Sequence, residues 1–215
     1  MKFSVNQKDL QNSLNYCQGV IEKRSTLPIL SNVLLEAKDT NLKITATDLD
    51  LIFIQNISNI EISVEGETTT SCSIMYDIVR KFNNEKKINF NLVSENKINL
   101  ESDKSSFNLN CLKASEFPVT ESNFRENEFI LNSKKLLKLL NKCKFSVSND
   151  ETRHYLSGIF LHLTDNEDKK FLTAVATDSH RMAISKSLLS EDIKFEPIIL
   201  PKKTIFQLCS LLDDY

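Results

Sequence analysis

Apolar and polar residues along the first 118 positions follow the spacing of two helices and several short strands. Over residues 7–18, Leu10, Leu14 and Cys17 recur on one face of a predicted helix, and Asn6 stands where an N-cap residue is expected. Alternating stretches separated by polar turns predict strands at 2–5, 32–37, 42–47, 51–57, 88–93, 97–101 and 106–112.

A second helical periodicity covers residues 73–82. It predicts that Ile74, Met75, Ile78 and Phe82 face the core and that Arg80 points outward. Two helices against a largely antiparallel sheet make an α+β domain, which is the fold class that we expect.

The second part of the chain repeats the first. Residues 128–143 match residues 2–17 at seven of sixteen positions without a gap, and Asn132 takes the place of Asn6. After a four-residue insertion near 166–169, the offset changes from 126 to 130 and Ala-Thr-Asp at 46–48 returns at 176–178. We therefore expect tandem domains at 1–119 and 129–215, joined by an acidic, Asn-rich linker at 120–128.

The second copy ends after its second helix, predicted at about 203–212, because counterparts of residues 86–118 do not follow. We expect this domain to be incomplete at its C-terminal end, and the chain to be part of a longer protein.

Composition excludes several classes of function. Three glycines leave no Gly-rich phosphate loop, and five scattered cysteines without a Cys-x-x-Cys pair suggest buried apolar residues rather than a zinc site or disulfide framework. We expect no metal and no cofactor. Neither a signal peptide nor an eighteen-residue apolar run occurs, so we expect a cytoplasmic protein without a membrane segment.

Positive charge is segregated although the net charge is only -2. The helix predicted after Asn132 places its lysines together, and no acidic residue occurs from 133 to 146. Such a face is typical either of sequence-independent phosphate binding or of an ordinary solubilising surface. The candidate phosphate contacts on the predicted helices are Lys8, Arg80, Lys134, Lys135, Lys138, Lys202 and Lys203.

Six segments in order resemble the bacterial sliding clamp family, the beta subunit of DNA polymerase III. They are Met1-Lys2-Phe3-Ser4-Val5, Arg24-Ser25-Thr26-Leu27-Pro28-Ile29-Leu30, Ala46-Thr47-Asp48-Leu49, Ser106-Phe107-Asn108-Leu109 with Glu116-Phe117-Pro118, Arg153-His154-Tyr155-Leu156-Ser157-Gly158, and Val175-Ala176-Thr177-Asp178-Ser179-His180-Arg181. The resemblance implies a non-catalytic processivity factor with three such domains per chain. Two chains would form a head-to-tail homodimer ring around double-stranded DNA, with helices lining the hole.

The resemblance also assigns DNA contacts. Arg24 matches a DNA-contacting arginine, and His154 and Tyr155 match an aromatic pair that touches DNA, with His154 departing from the usual tyrosine. The alternative is that Tyr155 caps the core and does not contact DNA.

A partner-peptide pocket is implied on the second domain, where polymerase subunits and the clamp loader would dock short linear peptides. Ser179 stands where glycine is more usual, which puts the local turn in question. The matching residues are Leu156, Thr177, Ser179, His180, Arg181 and Met182.

Phe107 and Leu109 lie on the last predicted strand of the first domain, which in the family pairs with the third domain of a second chain. Residues 1–215 alone are therefore not expected to close a ring.

Two other classes of function compete with this interpretation. An enzyme would use Asp178 and His180 with a nearby hydroxyl, although the third orienting group of a triad is missing. A protein-interaction scaffold built from the same repeat would use the lysines only for solubility.

Overall fold

The computed structural model describes residues 1–23, 26–83, 86–118, 129–150, 152–166, 169–189, 193–194 and 196–213. The chain divides into two compact units, residues 1–120 and 121–215. Both units pack α-helices against antiparallel strands, which confirms the predicted α+β class.

The first unit contains two α-helices and nine strands within its described residues. They are β1 Lys2–Asn6, α1 Gln7–Val20, β2 Asn32–Lys38, β3 Asn41–Thr47, β4 Ile52–Ile57, β5 Glu61–Val64, β6 Gly66–Ser71, α2 Cys72–Val79, β7 Lys87–Ser94, β8 Lys97–Ser102 and β9 Ser105–Leu112. The strands pair in the order β4-β3-β2-β6-β9-β8-β7-β1-β5.

The core of this unit lies between the sheet and the two helices. Leu10, Leu14 and Cys17 of α1 are fully buried there, as the helical periodicity predicted. The prediction for α2 is partly wrong, because Ile74 is 53% exposed. Met75 and Val79, four residues apart, form the buried stripe of α2, and Ile74 lies off that stripe.

The last predicted strand of the first domain is a sheet edge over part of its length. β9 pairs with β8 through residues 105–110 and with β6 only through Cys111 and Leu112, so residues 105–110 have a neighbouring strand on one side only within the described chain. The side chain of Leu109 is only 6% exposed because it faces the core, whereas Phe107 is 41% exposed. Phe107 contacts Phe82 with a ring-centroid distance of 5.8 Å. Leu109 is therefore a core residue, and Phe107 alone of this pair is accessible.

β5 and β6 were not predicted from the sequence. Thr69 and Thr70 of β6 are completely buried, although a threonine run shows no alternation of apolar and polar residues. Their hydroxyls donate to the carbonyl oxygens of Leu112 and Asn110 at 3.1 and 3.0 Å. These bonds satisfy the buried hydroxyls, which allows a polar strand to lie in the middle of the sheet.

The described part of the second unit has two α-helices and one four-stranded sheet. The elements are α3 Ser133–Asn141, β10 Gly158–Asn166, β11 Lys169–Thr177, β12 Met182–Leu188, β13 Ile198–Pro201 and α4 Lys202–Asp213. The strand order is β12-β11-β10-β13, which repeats β4-β3-β2-β6 of the first unit. Residues 129–132 form no strand, whereas their counterpart β1 lies between β5 and β7.

Helix caps follow the predicted positions but differ in chemistry. The Asn132 side chain accepts a hydrogen bond from the Lys135 backbone N–H at 3.1 Å, so this predicted cap is confirmed. Asn6 occupies the N-cap position of α1 without such a bond, and its amide instead donates to Asp9 at 3.3 Å. The Asn6 side chain is therefore not a backbone cap.

All five cysteines are buried and free, as the composition suggested. A hydrogen bond with Cys72, together with burial, raises the pKa of the Cys17 thiol, which keeps it protonated and unreactive. Within the described residues, no group of three or more metal-ligating side chains comes together. The helices of the described chain are also too short or too polar to span a membrane.

Candidate functional site

The loop at 150–157 is organised around Asp150. Its carboxylate accepts bonds from the backbone N–H and hydroxyl of Thr152 and from the Arg153 Nε, at 3.1, 2.6 and 2.8 Å. Hydrogen bonds from Thr152 first, and then from Arg153, lower the pKa of Asp150. Asp150 therefore stays ionised at neutral pH and holds Thr152 and Arg153 in place.

His154 and Tyr155 project from a short 3-10 helix in this loop, His154–Leu156. The side chain of Tyr155 is 67% exposed, so the alternative that it caps the core is wrong. At the end of the loop, the Ser157 carbonyl accepts from the Lys202 backbone N–H at 3.0 Å. The fold thus joins the end of the loop that carries the predicted aromatic pair to the start of α4, where Lys202 and Lys203 lie.

A cleft of about 420 Å³ opens at this junction. Its polar wall includes Ser148, Asn149, Lys202 and Lys203, and the half-exposed ring of Phe206 forms an apolar part. Lys202 Nζ donates to the Asn149 side-chain oxygen at 2.6 Å, so this ammonium group is fixed in the wall.

The lysines of α3 are exposed. Lys134, Lys135 and Lys138 all lie on the solvent side, and none of their ammonium groups pairs with a carboxylate among the described residues. Their common orientation agrees with the helical spacing of the sequence. Lys8 of α1 is also exposed.

The predicted DNA contacts Arg80 and Arg24 differ from these exposed lysines. Arg80 forms an ion pair with Asp77 at 3.0 Å, and its guanidinium lies 5.9 Å from the Tyr76 ring centroid. Arg80 points outward as predicted, and its ion pair with Asp77 reduces its availability to phosphates. Arg24 lies outside the described residues, as does the predicted linker at 120–128.

The turn between β11 and β12 is built by Thr177 and Asp178. Asp178 Oδ1 accepts from the backbone N–H groups of His180 and Arg181, both at 3.0 Å, and its other oxygen accepts from Arg181 Nε at 2.9 Å. The backbone bonds from His180 and Arg181 lower the pKa of Asp178. Since this carboxylate is fully engaged with the turn, it does not act as the orienting acid of a triad with His180.

Ser179 adopts a positive φ of 79° at this turn, a conformation that favours glycine. Serine at this position, where glycine is more usual, does not prevent the turn from forming. The Ser179 hydroxyl accepts from Arg153 Nη1 at 2.9 Å, so this turn is connected to the loop at 150–157.

The predicted pocket residues converge on one end of the sheet. Leu156 and Thr177 are half-buried, and Met182, which pairs with Thr177 across the strands, is 64% exposed. Ser179, His180 and Arg181 are exposed on the turn between them.

Two apolar neighbours were missed by sequence reasoning. The Arg181 guanidinium lies 5.5 Å from the ring centroid of the exposed Phe145, and Ile184 continues the outer face of β12 beyond Met182. The alternation of Met182 and Ile184 with buried Ala183 was a signal for the second of these residues.

The lysine helices and the apolar strand face lie on opposite sides of the second unit. Leu140 of α3 and Ile205 of α4 pack with Ala174 and Ala183 on the inner side of the sheet. Met182 and Ile184 alternate with Ala183 and therefore point to the outer side. Loop 150–157 and turn 177–181 meet at one end of this sheet.

Tandem α+β units with a repeated strand order, exposed helix lysines and an apolar outer strand define a clamp-like architecture. Residues 1–121 match the profile of the DNA polymerase III beta subunit N-terminal domain, and residues 130–215 match that of its central domain. The chain belongs to the DNA polymerase III beta subunit family, which confirms the resemblance of its six segments.

Individual relatives cover the chain from end to end. The beta sliding clamp of Caulobacter vibrioides (strain NA1000 / CB15N) is 34% identical over 99% of this chain and 58% of its own length. That of Rickettsia felis is 35% identical over 100% of this chain and 55% of its own. This chain thus spans little more than half the length of these relatives.

Solved structures agree with this assignment. The Caulobacter crescentus beta sliding clamp superposes with a TM-score of 0.94 at 33% identity, over 99% of this chain and 57% of that one. The sliding clamp of Bacillus subtilis gives a TM-score of 0.89 at 26% identity, over 100% of this chain and 57% of that one.

Proposed function

We propose that this chain supplies the first domain, residues 1–119, and part of the second, residues 129–215, of a DNA sliding clamp. In a protein of the relatives' full length, these domains would form part of a ring around duplex DNA and tether the replicative polymerase without catalysing a reaction. The observation that carries this proposal is the match to two successive beta subunit domains over the described fold.

The DNA-facing surface in this proposal consists of α3, the start of α4 and loop 150–157. Lys134, Lys135 and Lys138 provide exposed charges without carboxylate partners in the described chain. Tyr155 is exposed in loop 150–157, and the end of this loop is hydrogen-bonded at Ser157 to the Lys202 backbone. Ammonium groups on a helix contact phosphates without reading bases, which is what a protein that moves along DNA requires.

Charge reversal tests this surface. In a full-length protein that contains this chain, K138E should weaken duplex binding about tenfold for all sequences alike, because a phosphate contact is replaced by repulsion. The salt dependence of log K should become less steep by about one unit of slope. K186E is the matched control, since Lys186 is exposed on the outer face of β12. Equal losses for both variants would contradict the proposed surface.

The partner surface in this proposal is the groove bordered by Leu156, Thr177, Arg181 and Met182, extended by Ile184. Its exposed apolar side chains, next to the fixed turn at 177–181, favour a short peptide with apolar anchors from polymerase subunits or the clamp loader.

A peptide with the pattern Gln-Leu-x-Leu-Phe tests this groove. It should bind the full-length protein, and M182D should reduce the affinity at least tenfold because a charge would replace an apolar contact. V93D is the control, because Val93 is similarly exposed, at 61%, on the first unit. Binding that is unchanged by M182D would place the peptide elsewhere.

The assembly surface in this proposal lies on the first unit around Phe107. Phe82, just after α2, contacts Phe107, and the partly buried Ile78 and exposed Ile74 of α2 precede Phe82 at four-residue spacing. Residues 105–110 of β9 pair with β8 on one side only within the described chain. An exposed apolar strip next to an open strand segment supports pairing with a second chain, and light scattering of a full-length F107D variant should then give monomers.

The alternative is a protein-interaction scaffold that does not bind DNA. It shares the fold, and it would predict that K138E and K186E have the same negligible effect on duplex affinity.

A further inference from the structure

The bond between Arg153 and Ser179 joins the two proposed binding surfaces of the second unit. Arg153 immediately precedes the proposed DNA contacts His154 and Tyr155, and Ser179 lies in the turn that borders the proposed peptide groove. The guanidinium uses Nε to bind Asp150 at 2.8 Å and Nη1 to bind Ser179 at 2.9 Å. We propose that this pair, the Arg153–Ser179 clasp, positions the groove turn against loop 150–157.

The planar fork of arginine suits this role. One nitrogen is held within its own loop by a carboxylate that stays ionised, because Thr152 and Arg153 already hydrogen-bond to Asp150. A second nitrogen then points at a fixed angle toward Ser179, whereas a lysine ammonium could not bind both partners in this rigid geometry. Leu156 borders the proposed groove and lies three residues after Arg153. The clasp would therefore set its distance from the turn at 177–181.

The first unit shows that the turn itself does not need the clasp. By the repeat, Leu49 corresponds to Ser179 and Leu27 to Arg153. Leu49 has a φ of 84°, close to the 79° of Ser179, and the flanking hydrogen bonds are the same. Neither leucine side chain can form a hydrogen bond, so the turn is stable without this connection. The serine hydroxyl is therefore an addition that serves the position of the loop, and not the formation of the turn.

The inference rests on the proposed peptide groove, and its test separates the two. Peptide affinity is measured on the full-length protein for wild type, S179A, S179G, S179N and R153K. S179A and S179G should each weaken binding about three- to tenfold, because each lacks the acceptor for Arg153. S179N should retain binding, since asparagine tolerates a positive φ and offers a side-chain oxygen.

S179G distinguishes the clasp from backbone shape. Glycine relieves the positive φ and removes the hydroxyl, so a groove that depended only on the turn would bind as well or better. The double variant S179A/R153K should bind the peptide no more weakly than R153K alone, because R153K already breaks the hydrogen bond that S179A removes. L49A is the matched control in the first unit and should leave the affinity unchanged.

The outcomes are distinct. If the wild-type protein binds no peptide, the proposed groove is wrong, and amide exchange still tests the clasp. The amides at 153–157 should then exchange several times faster in S179A than in wild type and be unaffected by L49A. Peptide binding without any effect of S179A and S179G, or unchanged exchange in S179A, would overturn the clasp.

Discussion

The turn after β3 in the first unit and the turn after β11 in the second unit have the same backbone but different surfaces. In each, an aspartate side chain accepts two backbone N–H groups, and a threonine hydroxyl accepts a third. Leu49 is exposed and apolar at the position where Ser179 binds Arg153. The Thr-Asp pair thus determines the shape of the turn, and the residues that follow determine what it contacts.

The largest expected effects come from removing matched core leucines. Leu14 and Leu140 occupy equivalent positions of the repeat and are completely buried. L14A and L140A should each lower the free energy of unfolding by about 2–5 kcal/mol, because each leaves a cavity. L14A should be the costlier change, since α1 has 14 residues and packs on a nine-stranded sheet, whereas α3 has 9.

Urea unfolding with amide exchange resolved for α1 and α3 would measure both leucine variants. A larger loss of unfolding free energy for L140A than for L14A would contradict this expected order.

A smaller effect is expected at the contact between β10 and β13. A Cβ on Gly158 would lie 2.4 Å from the Leu200 carbonyl oxygen, so G158A must move a backbone and should cost about 1–3 kcal/mol. The equivalent Asn32 instead donates to the Thr69 hydroxyl at 3.1 Å, and N32A should cost about 1 kcal/mol. Thermal unfolding of both variants measures the difference, and an unchanged Tm for G158A would mean that the two strands are further apart in solution.

The smallest effect is a pH dependence that comes from Asp150 and Asp178 of the second unit. The pKa of Asp150 and that of Asp178 are lowered from 3.8 by hydrogen bonds in the folded chain. Their stabilising contribution is therefore fully present above about pH 4, and it is lost as the pH falls through the lowered values. D150N and D178N should flatten the decline of Tm below that pH. An equally steep decline in both variants would show that other carboxylates dominate.

Much of the first unit could be predicted because its strands alternate and its helices have regular apolar spacing. The Asn132 cap and the Thr177-Asp178 pair of the turn follow from the repeat, and the lysine face of α3 follows from helical spacing. The α2 prediction failed at Ile74 because a short apolar helix offers several possible faces, and only packing against α1 selects Met75 and Val79. The Thr-rich β6 was missed because its burial depends on carbonyl partners from β9, about 40 residues away.

The sequence by itself determined the tandem repeat, the α+β class, the family and the positions of the functional segments. Local spacing and repeated motifs carry that information without any long-range contact. Only the tertiary structure decided that Leu109 is buried and that Arg153 reaches Ser179. The burial of Leu109 depends on how the sheet packs against the helices, and Arg153 and Ser179, 26 positions apart, give no sequence signal that they will touch.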